Sequence, residues 1–135
     1  MKIKRDDIGA FRASVENCIS LARDLIEAEG TRLTREAYLN DDPAGLIGTG
    51  VVYVFFEKKQ GVLFVGETSM ALRAREKKYP SPYTDEAWWP RWTEVLLIPN
   101  SVRFERELFE RLLVVAYAPK YLNGKRTMPR QPLFS

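Results

Sequence analysis

The sequence predicts an α/β (α+β) fold: a small three-stranded, mostly antiparallel sheet flanked by helices. Three observations predict it. Residues 51–56 and 62–65 are β-branched and aromatic runs joined by a polar turn from Lys58 to Gly61, the pattern of a hairpin. Residues 93–98 form a third such run, ended by Pro99. Apolar residues recur at helical spacing over residues 8–29 and again from about 100 to 116.

Taken in order, the first helix has Phe11, Val15, Cys18 or Ile19, Ala22, Leu25 and Ile26 on one side and ends at Gly30. Cys18 falls near that apolar face, where a free cysteine is expected to be core. Residues 31–50 read as a connector with a short helix around Arg35 to Leu39. Gly48-Thr49-Gly50 lacks the Gly-Lys-Ser/Thr of a phosphate loop and precedes a strand. Gly66 is expected to break the second strand, with Thr68 or Ser69 capping a helix that begins at Met70. A proline-punctuated loop, Tyr79 to Tyr83, leads to Trp88-Trp89-Pro90-Arg91-Trp92, which holds all three tryptophans. These rings close the core, or else they form a stacking platform for nucleic acid with Arg91 on a phosphate. Asn100 or Ser101 can cap the last helix, whose expected apolar arc includes Phe104, Leu108, Phe109, Leu112, Leu113, Val115 and Ala116. On that wheel Glu110 stands at the edge of the core, either beside a cleft or as a solvated carboxylate paired with an arginine.

Composition narrows the chemistry. The chain has 135 residues, 45% hydrophobic and 29% charged, enough for one domain with a real core. A single cysteine excludes an internal disulfide, and the absence of histidine removes the commonest zinc ligand and the commonest general base. Ser/His and Cys/His hydrolase mechanisms are excluded with it. No apolar run approaches a membrane span, and Met1-Lys2-Ile3-Lys4-Arg5 leads into acidic residues, so a cytoplasmic protein is expected. Residues 1–49 carry 7 Lys+Arg against 9 Asp+Glu, a balance of −2, while the remainder carries 14 against 9, a balance of +5. A basic second part favours a phosphate-bearing partner, although an ordinary solvated surface has the same charge.

Two separated stretches carry a resemblance. Gly50-Val51-Val52-Tyr53, Phe64-Val65-Gly66, Thr68 and Leu72-Arg73-Ala74-Arg75 form the first. Glu110-Arg111-Leu112-Leu113 through Pro119 to Leu122-Asn123 forms the second. In this order and spacing they resemble the GIY-YIG nuclease domain over residues 48–123. That leaves residues 1–47 as a helical extension and connector and 124–135 as a basic extended tail. The resemblance implies a GIY-YIG-type endonuclease that hydrolyses DNA phosphodiester bonds with Mg²⁺ or Mn²⁺. Glu110 would hold the metal, Tyr53 would face the attacking water, and Arg75 would bind the scissile phosphate. Asn123 would orient the site. Tyr79 stands where the family often has histidine, and Arg73 competes with Arg75 for the arginine role. Thr68, Arg73, Lys77 and Arg91 are the expected substrate contacts, and Lys58, Lys59 and Lys77 are reserve candidates for the function that Phe64 and the missing histidine leave unfilled. The second motif tyrosine is Phe64, which can neither donate a hydrogen bond nor take a proton. The alternative implied is a degenerate module that binds nucleic acid or a protein without cutting. The N-terminal helix offers a surface for a homodimer or a larger partner.

Overall fold

The computed structural model describes residues 4–40, 50–59, 61–69 and 86–122. Its elements in chain order are α1 (Arg5–Glu29), β1 (Thr31–Thr34), α2 (Arg35–Asn40), β2 (Val51–Glu57), β3 (Gly61–Thr68), a 3₁₀ turn (Trp89–Arg91), β4 (Glu94–Pro99) and α3 (Arg103–Tyr117). The architecture is α+β, with one antiparallel sheet in the order β1-β4-β2-β3. The sheet therefore has four strands where three were expected. The fourth is Thr31-Arg32-Leu33-Thr34, a short and mostly polar edge strand that pairs Leu33 with Val95. Only Leu33 among its residues is partly buried, so it carries almost none of the alternation that marks a strand in sequence.

Central strand β2 alternates between two cores. Val51, Tyr53 and Phe55 point into an aromatic cluster with Tyr38, Phe64, Trp88 and Trp92. Val52 and Val54 point the other way, against Val65, Leu96, Ala22 and Ile26 of α1, and Leu113 of α3. On the aromatic face Phe64 stacks on Trp88 with centroids 4.8 Å apart, and Phe55 meets Trp92 edge-on at 4.9 Å. Arg35, at the start of α2, fastens that layer. Its Nη1 donates to the carbonyls of Trp89 (2.5 Å) and Trp92 (3.1 Å), and its guanidinium lies 4.7 Å from the Trp92 ring. Trp88 and Trp92 are core residues, the first of the two expectations for them, while Trp89 is half-buried.

Four details depart from expectation, each for a physical reason. Strand β3 runs through Gly66 to Thr68 instead of stopping at the glycine, because Gly66 is paired with Tyr53 and leaves room for its ring. Cys18 is exposed, because α1 is held to the body by Ala22 and Ile26, with Val15 and Ile19 half-buried on the same stripe. The buried stripe of α3 is Arg106, Glu110 and Leu113, spaced four and three residues apart on one side of the helix. The expected apolar arc is met in part: Leu113 is buried and Phe109, Leu112 and Ala116 are half-buried, while Phe104, Leu108 and Val115 are exposed.

The outer edge of β3 is covered by the chain that follows α3. Ala118 ends the helix in the left-handed region (φ 46°), ahead of Pro119. Lys120 and Tyr121 then donate from their backbone N–H groups to the carbonyls of Val62 and Leu63. A capped edge of this kind removes a template for edge-to-edge association.

Candidate functional site

The described part of the first motif stretch begins and ends at the end of the sheet where β2 starts and β3 and β4 finish. Gly50, Thr68 and Asn100 lie there, and the amide of Asn100 donates to the Gly50 carbonyl at 3.1 Å. On the aromatic face the sequence Gly-x-x-Tyr of one strand meets the Phe-x-Gly of the next through the pair Tyr53 and Gly66. A Cβ on Gly66 would stand 2.6 Å from the Tyr53 phenol oxygen and 2.7 Å from Cζ, so the ring occupies the space a side chain would need. Tyr53 is 0% exposed, and its ring is roughly parallel to that of Phe64 at 6.3 Å. Thr68 is buried on the same face, opposite Val51.

The helix side of this end is charged. Arg106 reaches down from the first turn of α3, its Nε donating to Glu67 Oε2 at 3.0 Å and its Nη1 to the Asn100 carbonyl at 2.9 Å. Its guanidinium lies over Gly50, whose φ of 67° and missing Cβ both suit a glycine. One arginine thus ties β3, the end of β4 and the start of β2 to α3. Glu67 and Arg106 were not among the expected site residues. The signal that finds Arg106 is the Arg106, Glu110, Leu113 spacing, which marks one helical stripe whatever its polarity, and no such spacing marks Glu67.

Glu110 follows Arg106 by one turn on that stripe and is 1% exposed. It faces the sheet and does not stand at the edge of a cleft. Residues 52, 65 and 67 face α3, while Tyr53 and Thr68 face the aromatic cluster. The sheet therefore lies between Tyr53 and Glu110.

Arg91 is engaged locally, its Nη1 donating to the Tyr121 hydroxyl at 2.8 Å and its Nε standing 3.4 Å from Glu57. Lys58 and Lys59 are exposed at the β2–β3 turn, the far end of the hairpin from Thr68. Arg73, Arg75, Lys77, Tyr79 and Asn123 lie outside the described residues, as does the helix expected from Met70.

A hydrated Mg²⁺ needs a carboxylate that water can reach, since the ion keeps several of its waters. Among the described residues no group of three or more His, Cys, Asp or Glu is placed to hold a metal, and Glu110 is enclosed. These residues alone do not fit the ion. No described helix is long and apolar enough to cross a membrane. Comparison of the chain with family models, with curated proteins and with solved structures returns no match.

Proposed function

We propose that this chain is a DNA endonuclease of the GIY-YIG type, with phosphodiester hydrolysis centred on the Tyr53 side of the sheet. The pairing of Tyr53 with Gly66 carries the reading: Gly-x-x-Tyr and Phe-x-Gly lie side by side on β2 and the edge strand β3, in a hairpin that precedes the arginine-bearing segment in sequence. The +5 balance of residues 50–135 suits a polyanionic substrate. In this reading Arg75 binds the scissile phosphate through its donor fork, with Arg73 as its competitor, and Tyr53 orients the attacking water. Dependence on Mg²⁺ or Mn²⁺ belongs to the reading through the resemblance alone.

A second reading, a module that binds DNA without cutting it, is favoured by one observation. Tyr53 and Glu110 lie on opposite faces of the sheet, each enclosed.

Nicking of supercoiled plasmid with Mg²⁺ or Mn²⁺ separates the two, with Tyr53→Phe, Arg75→Ala and Glu110→Gln run beside the parent. The endonuclease reading expects metal-dependent cleavage, lowered by at least about a hundredfold in Arg75→Ala, a loss of the size of one transition-state charge contact. Binding without cleavage on supercoiled, branched and single-stranded DNA establishes the second reading. A chain that neither cuts nor binds DNA refutes both.

A further inference from the structure

Arg91 leaves the 3₁₀ turn between Trp88 and Trp92, both buried in the aromatic layer. Its amide donates to the Trp88 carbonyl at 2.9 Å, and the carbonyls of Trp89 and Trp92 on either side of it are held by Arg35. The guanidinium is therefore presented from a fixed backbone. It has two partners. Nη1 donates to the Tyr121 hydroxyl at 2.8 Å, with the cation 5.9 Å from that ring, and Nε stands 3.4 Å from Glu57 Oε2. That oxygen is buried and accepts no hydrogen bond among the described residues, so the Arg91 charge is what balances it. Drawing the guanidinium away towards a phosphate would leave a buried carboxylate oxygen uncompensated, a cost that a solvated arginine does not carry.

Tyr121 belongs to the strip that covers the outer edge of β3. The amides of Lys120 and Tyr121 donate to the carbonyls of Val62 and Leu63 in turn. The strip therefore advances beside β3 from the hairpin turn in the direction of Thr68, towards the end of the sheet where β2 begins. Asn123 follows Tyr121 by two residues in sequence.

We propose that Arg91 is a positioning residue and not a phosphate contact: by holding the Tyr121 hydroxyl it fixes the strip that leads into Asn123. The role of Asn123 rests on the endonuclease reading, whereas the clasp rests on the two contacts of Arg91 alone.

Plasmid nicking, with Arg91→Gln and Tyr121→Phe run beside the parent, separates positioning from phosphate binding. Each variant is expected to lower kcat about tenfold with KM unchanged, the size of one hydrogen bond to a charged group. The double variant is expected to lose no more than either single one. In an Asn123→Ala background neither should lower kcat further, whereas a general loss of stability would still do so. The slope of DNA affinity against salt concentration should stay that of the parent. A slope lowered by about one in Arg91→Gln marks a lost phosphate contact and overturns the proposal. Undiminished losses in the Asn123→Ala background overturn it too, as does a parent that cuts while both variants keep its kcat. A parent that does not cut refutes the endonuclease reading and with it the role given to Asn123. The clasp is then decided by amide hydrogen exchange: protection at Lys120 and Tyr121 should fall at least about tenfold in both variants, and unchanged protection overturns it.

Discussion

The two faces of the sheet are built from different materials. On one, rings pack on rings: Tyr38, Tyr53, Phe55, Phe64, Trp88 and Trp92 form a layer whose members are nearly all uncharged, locked at its rim by Arg35. On the other, small aliphatic residues of the strands meet two helices, and one end of the layer is charged through Arg106, Glu67 and Glu110. The difference teaches where each kind of stability resides. The aromatic layer depends on shape and volume, so truncation there leaves voids that rigid rings cannot refill. The helical layer depends partly on a network in which each charge is tolerable only while its partner remains.

The largest effect is expected on the aromatic face. Trp92→Ala should cost about 3–5 kcal/mol in urea denaturation. Trp92→Phe should cost much less, because it keeps most of the ring and removes an indole N–H that has no hydrogen-bond acceptor among the described residues. Equal losses from the two variants would show that this face does not respond to volume.

On the helical face, Arg106→Met should cost about 2–3 kcal/mol, below the full value for a buried pair because Glu67 keeps some contact with water. Adding Glu67→Gln should recover part of that loss. Strictly additive losses in the double-mutant cycle would mean that the two side chains are not coupled.

The smallest effect concerns the seam between the helices. The Tyr117 hydroxyl donates to Glu27 Oε1 at 2.7 Å, joining the C-terminal ends of α3 and α1. Burial, and then this bond and the Glu27 charge, push the phenol well above the usual tyrosine range. The folded state therefore holds its proton to higher pH than the unfolded chain. Its contribution is complete below the unfolded pKa of ~10 and is lost as pH rises from there towards the folded value. Urea midpoints should fall over that alkaline range in the parent and fall less in Tyr117→Phe, with a difference below about 1 kcal/mol at neutral pH because the group is partly exposed.

What was legible in the sequence follows the same division. Val51 to Phe56, Val62 to Val65 and the run before Pro99 announced their strands because apolar side chains need cover whichever element supplies it. Thr31 to Thr34 did not, since an edge strand with one inward residue carries no period. The wheel of α3 misled for a related reason. Arg106 and Glu110 look like a solvated face until Glu67 and the sheet supply their surroundings, while Phe104 and Leu108 look like core and are exposed. For the candidate site, the Tyr53 and Gly66 pairing could be anticipated from strand register, but that Tyr53 and Glu110 fall on opposite faces depends on the rotation of α3, which only its packing fixes.

The close approach of Tyr53 to Gly66 also constrains how this sequence can change with time. A methyl group at residue 66 and a phenol at residue 53 claim the same volume. A lineage can gain a side chain at one position only after shrinking the other, so the order of substitutions is fixed even though neither residue restricts its neighbours along the chain. Alanine at residue 66 therefore calls for something smaller than tyrosine across the strand.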